Sequence, residues 1–212
     1  MSFQLKCPVK PYHLNQEFGD NKACVSNGNG PISSRKVITR VGDTCPLGYT
    51  SLYKALGLQG HSGADLRAGH GQTLYSSCNG IVEEIQTEVE RGLGVGVITE
   101  EKYWFPDGDF NIKVRYWHLM SIAVKKGQKV QTGDILGLCD NTGASSGDHL
   151  HFEVKRVKQN SNGVWYNIDQ DNGYNGGIDP IQFMDGTFAV DCRILLLTKL
   201  LELTKKLLSL IR

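Results

Sequence analysis

Glycine interrupts this chain often enough to limit the folds that it can adopt. Of the 212 residues, 25 are glycine, which is about 12% compared with roughly 7% in average proteins, and they follow no collagen-like period. Because glycine destabilises helix interiors and adopts the backbone angles of tight turns, this frequency favours short strands and many turns over a helix bundle. Apolar residues make up 40% of the chain, enough for a buried core. We therefore expect a mainly β globular protein.

Residues 58–187 contain the predicted antiparallel sheet. Its candidate strands are short apolar runs separated by glycine and turn residues: Gly80–Ile85, Val95–Glu100, Lys113–Leu119, Lys129–Val130, Ile135–Cys139 and His149–Val157. Pro106 followed by Asp107-Gly108 predicts a hairpin turn. Residues 158–186 are polar and glycine-rich, which predicts a long loop or an excursion. Residues 1–57 contain four of the six prolines and predict a loop-rich segment that packs on the core.

Charge and cysteine content exclude several classes of function. The formal net charge of +1 argues against a general polyanion binder, so we expect no nucleic-acid partner. The six cysteines are widely spaced and form no C-x-x-C pair for zinc or redox chemistry, and reduced thiols are favoured over disulfides. No apolar run reaches the roughly 18 residues of a membrane span. The first residues lack the apolar stretch of a secretory signal.

Four of the six histidines lie in three short segments whose patterns packing alone does not explain. His61 and Asp65 are four residues apart in GHSGAD, where two glycines predict a bent arch rather than a helix. His118 lies at the end of an apparent strand. His149 and His151 alternate with apolar residues in a third segment, so we expect both imidazoles on one exposed face of a strand.

These residues match the donors that a catalytic zinc ion uses. Such an ion takes three protein ligands and keeps a fourth position for water. Two imidazoles and one carboxylate leave a net charge of about +1, which favours hydroxide at the metal near neutral pH. The two remaining histidines would transfer protons or stabilise a developing oxyanion. Spacing alone leaves a second interpretation open, in which these are ordinary surface and hydrogen-bonded histidines.

The order of the motifs resembles a known enzyme family. HSGAD (61–65), YWHL (116–119) and NTGASSGDHLHFE (141–153) are similar to the lysostaphin/LytM-type zinc metallopeptidases, which cut peptidoglycan cross-bridges. Four lesser elements are also similar: QEFG (16–19), GIVEEI (80–85), GQKVQTGDILG (127–137) and Asp179-Pro180. The resemblance covers roughly residues 14–184 and implies an antiparallel, β-sandwich-like metallopeptidase domain.

The resemblance also implies a role for each motif residue. His61, Asp65 and His151 match the three zinc ligands of the family, which implies one Zn²⁺ per chain. His118 and His149 match the pair that orients or deprotonates the zinc-bound water and stabilises the tetrahedral intermediate. The implied reaction is metal-hydroxide attack on a peptide carbonyl of bacterial peptidoglycan, with a histidine as acid and base.

Three further assignments stay open at the level of sequence. Glu153 shares a strand face with His149 and His151, where it is either a hydrogen-bond partner that fixes an imidazole tautomer or an exposed strand-end salt bridge. The aromatic run 103–105 either lines the substrate groove or packs on the core. His13 and His70 match no motif and are interpreted as ordinary loop histidines.

Two alternatives to an active enzyme are considered. Residues 127–137 share a pattern of valine, glycine and aspartate with biotinyl and lipoyl carrier domains. The modifiable lysine that those domains need at a hairpin tip is missing. A catalytically degenerate or mainly structural family member would bind cell wall, or a virion or hydrolase partner. Such proteins lack one or more of the five site residues, and all five are present here.

Residues 188–212 differ from the rest of the chain. From Asp191 to Arg212 leucine dominates, and polar residues lie opposite a broad apolar stripe, which predicts an amphipathic helix of about 20 residues. This helix would bind an anionic membrane surface, associate with itself or a virion partner, or pack on the protease body. Because no secretory signal is evident, we expect a bacteriophage endolysin released through a holin, or a virion-associated lysin. Either is made in the cytoplasm and acts at the bacterial wall.

Overall fold

The computed structural model describes residues 3–19, 58 and 60–184, and these form one large antiparallel sheet with short accessory strands. The strands are β1 (Leu14–Gln16), β2 (Ala64–Leu66), β3 (Thr73–Tyr75), β4 (Gly80–Gln86), β5 (Leu93–Thr99), β6 (Tyr103–Phe105), β7 (Gly108–Ile122), β8 (Lys129–Val130), β9 (Ile135–Cys139), β10 (Leu150–Gln159), β11 (Trp165–Asn167) and β12 (Gly177–Ile178). A 3₁₀ turn covers Val89–Arg91, and helix α1 covers Ile181–Met184.

The two longest strands form the centre of the sheet. The main path of neighbouring strands is β1, β2, β10, β7, β5, β4 and β8, and each pair of neighbours along this path is antiparallel. Strands β11 and β12 pair with β10, and β9 joins β3 to β7. Residues from distant parts of the chain, near positions 65, 117 and 151, therefore lie side by side.

One face of the central strands forms the core. Tyr116 on β7 and Phe152 on β10 are fully buried, with ring centroids 5.4 Å apart. Because side chains alternate along a strand, their neighbours in sequence point to the opposite face, where the polar groups of the site lie. Residues 3–9 cover the core from outside the sheet, where Phe3 packs on Tyr103 and Phe183.

The predicted mainly β, antiparallel fold is confirmed, and all six candidate strands are present. The hairpin predicted at Pro106 and Asp107 joins β6 to β7. Of the long loop or excursion predicted for residues 158–186, the uninterrupted loop is wrong, because the described part up to residue 184 contains the end of β10, β11, β12 and α1, joined by turns. These short polar strands have no apolar alternation of their own, and their backbone is paired instead with β10.

Several sequence-based predictions lie partly or wholly outside the described residues. The amphipathic helix at 188–212 and most of the loop-rich segment at 1–57 belong to this group. The three cysteines within the described part, Cys7, Cys78 and Cys139, are free thiols. Within that part, no helix has both the length and the apolar character needed to cross a membrane.

Candidate metal centre

A glycine-bent arch positions His61 and Asp65. The backbone of His61 exchanges two hydrogen bonds with Gly19, of 2.8 and 3.0 Å. At Gly63 the arch presses against β10, where a Cβ atom would lie only 2.5 Å from the Phe152 carbonyl oxygen. Any larger residue at this position would push the arch away from β10. The arch then enters β2, which places Asp65 on the sheet face that carries the site.

The register between β2 and β10 brings the third donor to the other two. Asp65 lies directly opposite His151 in this antiparallel pair, and directly opposite residues project from the same face of a sheet. Leu150 and Phe152 on β10 are fully buried. The predicted alternation, with histidines on one face and apolar residues in the core, is therefore confirmed.

A β-bulge presents His118 to the same face. Leu93 and Gly94 on β5 pair with Leu119 and Trp117 on β7, so His118 is the extra residue between them. Its φ of 67° lies in the left-handed region, which non-glycine residues seldom adopt. Because of this bulge, two successive side chains, Trp117 and His118, line the same cavity, where strict alternation would bury one of them.

Three donor atoms meet at one point. The distances are 3.0 Å from His61 Nε2 to Asp65 Oδ1, 3.0 Å from His151 Nδ1 to Asp65 Oδ1 and 2.9 Å between the two imidazole nitrogens. Donors around a tetrahedral zinc ion, with bonds near 2.0–2.1 Å, lie about 3.3 Å apart. Two imidazoles and one carboxylate in this arrangement therefore fit zinc, and only a small outward movement would be needed.

The outer nitrogen of each donor imidazole has a fixed acceptor. His61 Nδ1 donates to the Glu17 carbonyl oxygen at 2.8 Å, and His151 Nε2 lies 3.3 Å from Glu153 Oε1. An acceptor at one ring nitrogen places the proton there and leaves the lone pair on the other. His61 is thereby set to bind through Nε2 and His151 through Nδ1.

His118 and His149 are oriented by the same principle, with backbone carbonyls as acceptors. His118 Nδ1 donates to the Thr142 oxygen at 2.6 Å, and His149 Nδ1 donates to the Gly147 oxygen at 2.7 Å. Their Nε2 atoms therefore carry lone pairs. The two rings lie 4.7 Å apart, and His149 Nε2 is 3.4 Å from Asp65 Oδ1, so both stand beside the donor set.

Burial and neighbouring charges shift the pKa values of the site residues in different directions. Burial raises the pKa of Asp65, but hydrogen bonds from the surrounding imidazoles outweigh it and hold that pKa well below its usual range. Burial lowers the pKa of His151, but Asp65 and Glu153 outweigh it and raise the pKa to about 9. Burial dominates at His118 and lowers its pKa to about 4. His118 is thus neutral near pH 7, and its Nε2 can accept a hydrogen bond.

The site opens into a cavity of about 610 Å³. Besides the five motif residues, its walls include two basic residues, an aromatic residue and parts of the loop before β10: Arg91, Arg115, Trp117, Ala144, Ser145 and Ser146. At Gly94 a Cβ atom would lie 2.2 Å from the Trp117 ring. The indole therefore lies flat across a glycine and forms part of the cavity wall.

The structure brings all five predicted site residues together and separates others from them. The aromatic run 103–105 does not line the cavity: Phe105 is 6% exposed in the core, whereas Trp104 is 51% exposed on the surface. The core alternative holds for Phe105 because its ring packs against Phe110. His70 is exposed and bonds to Asp140 at 2.9 Å.

Sequence reasoning missed the residues that hold the imidazoles in place. Thr142 is the main example. Its carbonyl accepts from His118, its hydroxyl donates to the Leu119 oxygen at 2.8 Å, and the same hydroxyl accepts from the Leu93 amide at 3.1 Å. Next to it, a Cβ atom on Gly143 would lie 2.5 Å from the Gly92 nitrogen. The turns that contain Gly92 and Gly143 are thus in direct backbone contact.

A comparison with protein families identifies the family of this chain. The family model described as peptidase family M23 matches residues 59–164, which include all five motif residues. The chain belongs to peptidase family M23. Zinc is the metal of this family, and His61, Asp65 and His151 form a donor group that could hold it.

Individual relatives match a shorter stretch. The chain is 36% identical over 94 residues to the peptidoglycan DD-endopeptidase ShyA of Vibrio cholerae, which covers 44% of this chain and 20% of that protein. It is 31% identical over 104 residues to the glycyl-glycine endopeptidase ALE-1 of Staphylococcus capitis, covering 46% and 26%. The chain thus matches only about a fifth to a quarter of the length of these relatives.

Among solved structures, a zinc-containing peptidase from Vibrio cholerae is similar. It has a TM-score of 0.49 and 24% sequence identity, and the match covers 85% of this chain and 39% of that one.

Proposed function

We propose that this M23 family member is a zinc-dependent endopeptidase that hydrolyses peptide cross-links of bacterial peptidoglycan. The observation that carries the proposal is the pairing of a three-donor centre with two histidines whose Nε2 lone pairs stand beside it. Such a pairing supplies both a metal site and a proton acceptor. The name of ShyA, a peptidoglycan DD-endopeptidase, supports peptidoglycan as the substrate, and the name of ALE-1, a glycyl-glycine endopeptidase, supports cleavage of a peptide bond.

His61, Asp65 and His151 would hold the zinc ion. When bound, zinc supplies Lewis-acid activation of a water molecule and of the peptide carbonyl. The carboxylate remains ionised because hydrogen bonds from imidazoles hold its pKa low. The chain itself therefore provides one carboxylate and two imidazoles, and His151, whose pKa is raised, would release a proton when it binds the metal.

His149 and His118 would move the protons of the reaction. His149 Nε2 is the nearer acceptor to the centre, 3.4 Å from Asp65 Oδ1, and takes a proton from the attacking water. The protonated imidazole then donates to the amine that leaves. The His118 ring lies 4.7 Å from the His149 ring and 5.9 Å from the His151 ring, where its Nε2 lone pair would accept a hydrogen bond from the water and orient it.

The open cavity suits an extended peptide. Its wall runs from the donor set along Trp117, and the flat indole over Gly94 leaves room for a substrate backbone. The loop at 144–146 also lines the cavity. A peptide bond that lies between these walls would have its carbonyl beside the metal donors.

Wall digestion with defined sacculi tests this proposal. Protein loaded with one zinc should release peptides from sacculi, and a chelator should abolish release until zinc is restored. Sacculi with D-alanyl–diaminopimelate cross-links and sacculi with glycine bridges are digested separately, and mass spectrometry of the products identifies the bond that is cut. A folded chain that binds zinc but releases nothing from either would favour the alternative, a degenerate or structural wall-binding protein.

For the biological setting we propose a bacteriophage lysin, either an endolysin released through a holin or a virion component. The substrate lies outside the cytoplasmic membrane, and residues 191–212 combine five basic and two acidic side chains with many leucines. A basic amphipathic segment of this kind suits an anionic membrane surface or a virion partner.

Expression inside bacteria tests this setting. The cells should lyse only after the membrane is permeabilised, whereas lysis without permeabilisation would contradict the endolysin proposal. Liposome binding and oligomeric state, measured with and without residues 188–212, separate the proposed roles of that segment.

A further inference from the structure

Beneath the donor set lies a buried carboxylate that the motif assignments leave without a role. Glu153 is 5% exposed and stands on β10, on the same face as His151. The salt bridge that the sequence allowed does form, but inside the protein rather than at an exposed strand end. A buried carboxylate requires partners for both oxygens, because desolvation of an unpaired charge is costly.

The two oxygens of Glu153 face different neighbours. Oε1 accepts from the Ser62 hydroxyl at 2.5 Å and lies 3.3 Å from His151 Nε2. Oε2 binds the Arg115 guanidinium and lies 3.3 Å from Lys155 Nζ. One oxygen thus contacts the metal-donor side, and the other is fixed by two cations. The cations hold the carboxylate in the orientation that directs Oε1 at the imidazole.

All four neighbours of this carboxylate are hydrogen-bond donors. An amide of the same shape would present an NH₂ group either to the Arg115 and Lys155 cations or to Ser62 and His151. The glutamate is therefore required for its two acceptors, and glutamine does not replace it.

We infer that Glu153 is a positioning residue for the metal centre, which acts through His151. It accepts the Nε2 proton of that imidazole, fixes the tautomer and so aims the Nδ1 lone pair at the metal position. This inference rests on the proposed function, because it concerns the same zinc site. It gives a role to the last residue of the third motif, and it links the arch, through Ser62, to β10.

Zinc affinity of Glu153→Gln provides the test, with Glu84→Gln as the matched control. Glu84 binds the same Arg115 side chain, at 3.1 and 3.2 Å, but its carboxylate is bonded to Arg115 and Lys113 rather than to an imidazole. Both substitutions remove one charge from the same network. Dissociation constants for zinc are measured by competition with a chelator, after circular dichroism has confirmed the fold.

Glu153→Gln should weaken zinc binding by about 10–100-fold, the usual effect of removing such a partner. Glu84→Gln should change it by less than about fivefold, as expected for a half-exposed ion pair. Equal changes in the two variants, whether large or absent, would overturn the positioning role. Wild-type protein that binds no zinc would instead overturn the proposed function.

A measurement on the unmodified protein covers the case in which Glu153→Gln does not fold. In zinc-loaded wild type, ¹⁵N NMR of the histidine side chains should show a slowly exchanging Nε2 proton on His151. A His151 without that proton, or with one in rapid exchange with solvent, would contradict the inference.

Discussion

The two halves of the site are built by different means. On the donor side, His61, Asp65 and His151 are placed by an arch and by the register of β2 against β10. On the proton-transfer side, His118 is placed by a bulge and His149 by the loop that precedes β10, and both are held by backbone carbonyls. We therefore expect changes on the donor side to affect metal affinity and changes on the proton-transfer side to affect turnover.

The largest effect is expected on the donor side. His151→Ala should lower zinc affinity by more than about 100-fold, because even the loss of a residue outside the ligand set costs 10–100-fold. Activity should disappear together with the metal. Zinc content by mass spectrometry and sacculus digestion are measured on the same sample. A variant that retains one zinc per chain would show that His151 is not a ligand.

The matching substitution on the proton-transfer side should separate metal from activity. His149→Ala should keep zinc and lose turnover by about 10²–10⁴-fold, the usual contribution of a positioned acid or base. The readout is kcat for a cross-linked peptide at full zinc occupancy. If kcat stays within a few-fold of wild type, proton transfer does not pass through His149.

A smaller effect is expected from the loop that supports His118. Thr142→Val preserves shape but removes the hydroxyl that bonds to Leu93 and Leu119. Stability should fall by about 1–3 kcal/mol, the cost of leaving such groups without partners. Turnover should fall while zinc affinity remains unchanged. Thr142→Ser, which keeps the hydroxyl, is the control. Weaker zinc binding in Thr142→Val alone would show that the two halves are coupled.

The smallest effect concerns the backbone at His118. Because its φ is 67°, His118→Gly should be more stable than His118→Ala by about 1 kcal/mol, since glycine adopts this region without a steric penalty. Both variants lose the imidazole, so the difference reports the backbone alone. Thermal unfolding of the two proteins is compared, and equal midpoints would mean that the left-handed conformation carries no cost.

The positions of the donor residues could be predicted from the sequence, whereas those on the proton-transfer side could be predicted only in part. Alternation on β10 predicts that His149 and His151 leave the core, and the glycines around His61 predict the arch. The bulge at His118 is not predictable in this way, because it arises from a mismatch in register with β5, which is distant in sequence. The backbone carbonyls of Thr142 and Gly147 could not be predicted as acceptors either, because every residue has a backbone carbonyl.

The role of Glu153 could be predicted from the sequence only in part. Its place on the strand face follows from alternation, but its burial depends on cations supplied by β7 and by β10 itself. The sequence therefore allowed a partner of His151 and a salt bridge as alternatives. In the structure the same carboxylate does both.

The backbone contact between Gly92 and Gly143 bears on how the substrate preference of such a domain can be changed. The turns that contain these two glycines are packed so closely that neither glycine position accepts a side chain. A graft that imports only the loop before β10 from a relative would meet a foreign partner at Gly92. Exchange of specificity between relatives should therefore succeed when residues 88–93 and 140–149 are transplanted as one cassette.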